Sequence, residues 1–419
     1  MAALLKLSLT SYSLASFSSL SQSVKKYSAI TANYWAFTLT DGALRMLVLL
    51  YFYQLGYSPF ALATLFILYE VFGVITNLVG GWLGARIGLN KTMLIGTAIQ
   101  VSALLMLALP SEYLSVAYVM FAQALSGIAK DLNKMSAKSS IKLLVNKVNS
   151  EESDNKLFKW VALLTGSKNT LKGVGFFLGG LLLTTFGFQL SVLLMAIALV
   201  IVALSAFPML RGDIGKTSYK AKFSQLFSKN TSLNYLSAAR LCLFAGRDVW
   251  FVIALPVYLA SQLQWQHQAI GTFLACWIIF YGIIQANAPR ILRLLSASEK
   301  KTSHQQVILW SVLLALVTLI LCLAIYLFPQ NNEILIIGLF IFGTVFAMNS
   351  SLHSYLIVAL ARDEGVSMDV GFYYMANAMG RLLGTVLSGL IYQQVGLLAC
   401  ISFAFIFTLL ASYFVRKMA

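Results

Sequence analysis

Apolar runs of eighteen residues or more recur along this chain from about residue 30 almost to its end. A run of that length is what a helix needs to cross the hydrocarbon of a bilayer, and a soluble core does not use a succession of them. Twelve spans can be read, at roughly 30–52, 59–83, 92–110, 114–134, 158–184, 188–207, 233–260, 269–289, 306–328, 334–360, 368–392 and 397–415. Several exceed twenty residues, which predicts tilt or extension beyond the membrane. An outer-membrane barrel would show segments of about ten residues with alternating polarity, and no such segments occur. The expected fold class is an all-α membrane protein. Only 11% of the residues are charged, against about 25% in soluble domains. That excludes a soluble enzyme, a disordered chain and a nucleic-acid module.

The net charge of +16 needs to be located before a polyanionic partner is inferred from it. Twenty-four of the thirty lysines and arginines fall in the tails and in alternate loops, all on one side. The opposite loops carry Glu112, Glu333 and His267, but no lysine or arginine. Positive loop residues stay in the cytoplasm, so a multi-pass protein of the cell's inner membrane with both termini cytoplasmic is expected. Nucleic acid is not an expected partner; membrane lipid is. Residues 1–28 are serine-rich, with eight serines from Ser8 to Ser23. They lack the basic start and long apolar core of a cleaved signal, and an uncleaved, disordered cytoplasmic tail is expected. The four cysteines stand singly in four spans, which indicates neither a disulfide framework nor a thiolate metal site. No cofactor and no metal are expected.

The chain repeats itself at an offset of 209 residues. Gly175, Gly180 and Gly187 fall on Gly384, Gly389 and Gly396, and Lys172 falls on Arg381. Six spans (29–207), a basic central loop (208–232) and six further spans (233–419) form the layout of two parallel six-helix halves, with substrate held between them near the midplane. The loop between spans 2 and 3 reads GGWLGARIGLNK. It resembles the major facilitator signature G-x-x-x-D-R-x-G-R-R, carried here by Gly81, Arg86, Gly88 and Lys91 and departing from it at Ala85, where the family has Asp. The resemblance implies a major facilitator fold of twelve transmembrane helices. Its glycines are expected to form a tight turn and its basic residues to meet helix ends. Gly175, Gly179 and Gly180 of span 5 partly resemble the antiporter glycine pattern, with Phe176 in the place of its proline.

Six basic residues lie deep inside spans, away from their basic ends: Arg45, Lys168, Lys172, Arg240, Arg247 and Arg381. Three acids accompany them at such depth: Asp41, Glu70 and Asp248. A charge at membrane depth costs about 2.5–3.5 kcal/mol on insertion scales and therefore marks a function or a partner. Arg45, Lys172, Arg247 and Arg381 each lie about 13–15 residues from the basic end of their span, which is roughly 20 Å along the helix. Four cations at one depth, two from each half, can clasp an anion. Arginine suits that task through its planar fork. Lys168 shares the face of Lys172 one turn away and extends the site, and Arg240 is a shallower candidate. The competing reading is internal pairing, with Asp41 four residues before Arg45 and Asp248 next to Arg247. Asp41, Glu70, Asp248 and His353 are the candidates for proton coupling. Lys130, Lys134, Lys138 and Lys142 recur every four residues in span 4 and beyond. That stripe reads as topology charge on anionic lipid, or as an electrostatic funnel for anions.

Five segments carry a narrower resemblance: NYWAFTLTDGALRMLV from Asn33, TNLVGGWLGARIGLNKTM from Thr76, GIAKDLNKMSAKSSIKLLV from Gly127, KWVALLTGSKNTLKGVGFFLGG from Lys159 and SAARLCLFAGRDVWFVIALPVYLA from Ser237. Together they resemble the ArsJ-type organoarsenical efflux permeases, over essentially the chain from Asn33 onward. The resemblance implies an anionic small-molecule substrate, 1-arseno-3-phosphoglycerate, and a functional link to a glyceraldehyde-3-phosphate dehydrogenase that makes it. Export would confer arsenate resistance, by a carrier working as an antiporter and a monomer. An arsenate ester presents oxygens rather than a site for thiolates, in keeping with the scattered cysteines. A proton- or anion-coupled carrier of another phosphorylated metabolite would use the same cations. A drug pump would favour an acidic or aromatic cavity, and an enzyme would need a nucleophile–base or metal constellation.

Overall fold

The computed structural model describes residues 22–57, 65–145, 150–210, 230–265, 267–295, 303–329, 331–362 and 366–418. The serine-rich start up to residue 21, the beginning of span 2 and the central loop at 211–229 lie outside the described residues. Every long element among the described residues is a helix. In chain order these are α1 (Gln22–Gln54), α2 (Ile67–Ile87), α3 (Leu89–Leu107), α4 (Val116–Val145), α5 (Ser150–Ala206), α6 (Thr231–Phe251), α7 (Ala254–Ser261), α8 (His267–Leu295), α9 (Ser303–Leu327), α10 (Asn332–Leu360), α11 (Val366–Val395) and α12 (Leu397–Arg416).

α5 covers both the fifth and sixth predicted spans. Its two arms meet at Gly187, where φ is 71° and ψ is −179°. Gly396, between α11 and α12, has nearly the same backbone, with φ 96° and ψ −172°. The sequence repeat thus reappears as one backbone conformation, which a side chain would strain. A Cβ on Gly187 would have no neighbour within 4 Å, so the cost of one is purely conformational. Gly187→Ala is expected to destabilise the protein by about 1–3 kcal/mol, read as a lower melting temperature in detergent. The seventh predicted span is likewise divided, into α6 and α7. Pro256 in the first turn of α7 has no N–H to continue the ladder. The Ala254 N–H instead donates to Ser388 Oγ on α11, 3.0 Å away, so a side chain satisfies that donor at the break.

Eight helical stretches among the described residues, with both arms of α5 in one of them, are long and apolar enough to cross a membrane. α9 is the most apolar, with a mean hydropathy of 2.9, yet only 28% of its window is buried. Leu309, Leu316, Ile320 and Leu323 lie on its outside. In water that arrangement would be costly, and in lipid it is what an outer helix requires. α1, α4 and α11 fall outside the apolar set although each has thirty residues or more. Each turns charged residues inward: Asp41 and Arg45 on α1, Lys130 to Lys142 on α4, Asp369 and Arg381 on α11. α1 lies along α5, α11 along α6 and α2, and α5 along α8.

Glycines set these approaches. A Cβ on Gly175 would stand 2.7 Å from the Leu39 carbonyl oxygen of α1. One on Gly384, its repeat partner, would stand 2.8 Å from the Ala245 carbonyl oxygen of α6. The signature glycines divide their work. Gly88, with φ 93°, makes the turn between α2 and α3. Gly81 instead lies inside α2, where a Cβ would be 3.2 Å from the Cα of Gly371 on α11.

Candidate functional site

The charged residues read from the sequence converge from α1, α2, α5, α6 and α11. Arg45 Nη2 donates to Glu70 Oε1 at 3.2 Å. Arg381 Nη2 donates to the same oxygen at 2.6 Å. Arg381 Nε lies 3.5 Å from Asp248 Oδ2, and Arg247 Nε donates to Asp248 Oδ1 at 2.6 Å. The result is one alternating chain, Arg45–Glu70–Arg381–Asp248–Arg247, running from α1 to α6. Lys172 completes the group of four cations. Arg45 and Arg381 both act on it electrostatically, with Asp41 opposing them, and the nearest ring is that of Phe176 at 5.8 Å. The side chains of Arg45 and Arg381 remain 25% and 24% exposed, so the surrounding helices do not fully enclose the group.

Aromatic rings frame the cations, an arrangement that holds a guanidinium without neutralising it. Arg45 lies over Tyr69 at 4.5 Å and Phe66 at 5.3 Å. Arg247 lies over Phe244 at 4.6 Å and Phe346 at 5.5 Å.

The local pairing expected from sequence spacing holds at Arg247–Asp248 and fails at Asp41–Arg45. Asp41 accepts from Tyr69 Oη at 2.7 Å, and Arg45 turns to Glu70. Helical neighbours four residues apart compete with whatever the adjoining helix offers, and α2 places Tyr69 and Glu70 against both. Lys168 and Lys172 take part in no ion pair among the described residues. Arg240 is buried and bound by neutral oxygens: Nε donates to Asn377 Oδ1 at 2.8 Å and Nη1 to Ser350 Oγ at 3.0 Å. Both ring nitrogens of His353 are buried without a hydrogen-bond partner, and Arg240 is the charge that acts on it. The structure therefore gathers Asp41, Glu70 and Asp248 around the ring and leaves His353 apart from them. Arg86 is exposed and lies over Trp82 at 4.9 Å, and Lys91 is exposed.

Tyr69 and Asp131 belong to the site and were not singled out by sequence. Asp131 on α4 sits between Lys130, at 3.6 Å, and Lys134. Lys130 also lies 3.8 Å over the Tyr69 ring. The lysine stripe of α4 faces the interior rather than lipid: Lys134, Lys138 and Lys142 are all buried. Its strict four-residue spacing is the signal that one face carries all of it. Lys142 Nζ caps the end of α10 by donating to the carbonyls of Ala359 and Ala361. Residues 131–142 and 350–358 are buried throughout, so the basic end of the bundle is sealed. Just beyond α10, Arg362 Nη2 donates to Asp369 Oδ1 at 2.8 Å and its N–H to Oδ2 at 3.0 Å. That hydrogen bonding raises the guanidinium above its ordinary range, so Arg362 keeps its charge at any working pH.

No curated protein matches the chain in sequence. Solved structures match in fold. A bacterial homologue of the iron transporter ferroportin in an outward-facing state has 14% identity and a TM-score of 0.73, with 94% of this chain and 99% of that one covered. The fucose:proton symporter FucP of E. coli has 10% identity and a TM-score of 0.71, with 95% and 100% covered. The human organic anion transporter TETRAN has 15% identity and a TM-score of 0.70, with 94% and 98% covered. At these identities the likeness establishes the fold alone. The family model of the Major Facilitator Superfamily matches residues 29–302 and 236–418, and with a twelve-helix bundle around a charged interior the chain belongs to that superfamily as a multi-pass secondary carrier of the membrane.

Proposed function

We propose that this carrier exports an organic oxyanion by alternating access, with 1-arseno-3-phosphoglycerate as its substrate and arsenate resistance as the outcome. The supporting observation is an imbalance in the ring. Its carboxylates are each held by a cation or by Tyr69, whereas Lys168 and Lys172 hold no acid among the described residues. An oxyanion supplies the missing acceptor. Arg45, Lys172, Arg247 and Arg381 are its proposed ligands, with Lys168 and Arg240 on the basic side. Glu70 competes with the substrate for Arg45 and Arg381. Anion arrival would draw an arginine away from Glu70 or Asp248, and anion departure would let the pair re-form; Asp41, Glu70 and Asp248 are the proposed coupling acids. The arsenic-containing substrate, the link to a glyceraldehyde-3-phosphate dehydrogenase and the monomeric state rest on the sequence resemblance. The positive loops support an inner-membrane location with cytoplasmic termini.

The same ring would serve a proton- or anion-coupled carrier of another phosphorylated metabolite. Counterflow in proteoliposomes loaded with phosphate and arsenate esters separates the two substrates. In cells, expression should lower arsenate toxicity only when a glyceraldehyde-3-phosphate dehydrogenase supplies the ester. Protection without that enzyme would identify free arsenate as cargo, and protection against arsenite alone would point to a different chemistry.

A further inference from the structure

Lys138 is only 1% exposed, and its Nζ has no hydrogen-bond partner. An ammonium carries three donors and is costly to bury unpaired. The charges that act on it are all positive: Lys168, Arg240 and Lys134. Of these, Lys134 already holds Asp131. Arg240 is held by the neutral oxygens of Asn377 and Ser350 and lies over the Phe244 ring at 4.2 Å, and neither it nor Lys168 has an ion pair among the described residues. His353 adds two unpartnered nitrogens beside Arg240. Lys168 lies one helical turn from Lys172 and Arg240 two turns from Arg247, so this group forms a lower tier roughly 6–10 Å beneath the ring along the helices. It is rich in donors, and the one carboxylate acting on it among the described residues, Asp131, is already held by Lys134. It is also closed: the contact of Lys142 with the end of α10 lies one further turn below Lys138 and seals that side.

We propose that Lys138, Lys168, Arg240 and His353 form a second oxyanion station, which takes a phosphate-class anion when the basic end opens and Lys142 leaves the carbonyls of α10. It rests on the reading of the upper ring as an anion site and adds a separate binding position below it. An anion entering from the basic side would meet this station before the ring, and its dehydration would be compensated in two steps rather than one. Lys138 then has an acceptor in the open state and is stranded only while the station is empty and closed.

Equilibrium binding of radiolabelled inorganic phosphate to the purified full chain tests this, with thermal melting followed in parallel. Lys138→Met keeps the volume and removes the charge. It should weaken phosphate binding by about tenfold or more while raising the melting temperature of the empty protein. Lys138→Arg should retain binding within about threefold, since the guanidinium still donates to phosphate. Lys138→Gln serves as a second neutral variant if Lys138→Met does not insert. Competition by glycerol 3-phosphate in place of inorganic phosphate shows whether the station accepts an ester head or the free anion alone. Unchanged phosphate binding in the neutral Lys138 variants, with a loss in Arg247→Gln, would overturn the station and leave the ring standing. Unchanged binding in Arg247→Gln, or no binding by the unaltered protein, would overturn the ring reading and the station with it.

Discussion

Arg381→Ala should lower the carrier's affinity for its anion about ten- to a hundredfold. A charge-assisted hydrogen bond is worth about 1.5–3 kcal/mol, and each 1.4 kcal/mol is a factor of about ten. Arg381 is the residue with most to lose, because it stands between Glu70 at 2.6 Å and Asp248 at 3.5 Å. Its removal need not unfold the bundle: Glu70 keeps Arg45 and Asp248 keeps Arg247. Arg381→Lys should also weaken binding, since one ammonium cannot reproduce a planar fork that reaches two acids. Lys172→Arg should be tolerated, because its repeat partner is already Arg381. Counterflow and binding are to be measured with the inserted fraction of each variant known. Normal affinity in Arg381→Ala would make the ring an internal ion-pair network. Recovery of insertion by Glu70→Gln in that background would lead to the same conclusion.

A second large effect is expected from Gly81→Val, through conformation rather than charge. The added Cβ would meet the Cα atoms of Gly371 and Met368 at 3.2 Å, with the Ser367 carbonyl oxygen closer still. Gly371 presses on α2 in return, its own Cβ position 2.5 Å from the Asn77 carbonyl oxygen. Backbone cannot yield as a flexible side chain can, and overpacking of this kind costs about 1–3 kcal/mol. The cost applies only while α2 and α11 touch, as they do when the basic end is sealed. Separation of the two helices relieves it. The equilibrium between sealed and open forms should therefore move toward open by roughly 5–150-fold. A cysteine placed at Ser140, which is buried in the sealed form, should react faster with maleimide from the basic side, and net transport should fall. An unchanged labelling rate would mean that α2 and α11 stay together when the basic end opens.

Much of the fold was legible in the chain because the signals are local and additive. An apolar run long enough for the hydrocarbon announces a span wherever it occurs, and a glycine at an offset of 209 announces its counterpart. Gly187 and Gly396 do share one backbone conformation, and Lys172 and Arg381 do approach one cluster. The place of each cation along its helix was also legible, since 1.5 Å per residue needs only counting.

Apart from the adjacent pair Arg247–Asp248, partnership was not legible, because a charge pairs with whatever another helix brings to it. Spacing suggested Asp41 for Arg45, and the packing of α2 supplied Glu70 to Arg45 and Tyr69 to Asp41. Glu70 of α2 reaches Arg381 across 311 positions of sequence while also holding Arg45, a distance over which no periodicity speaks. The lysines of α4 had the same ambiguity. A four-residue repeat shows that they share a face, whereas the direction of that face depends on how α4 is rotated against α10 and α5. Sequence by itself determined the apolar spans, the internal repeat and the place of each charge along its own helix, all properties of single helices. Only the tertiary structure decided which charges neutralise one another and that Lys138 is buried with none, because both depend on the relative rotation of helices far apart in the chain.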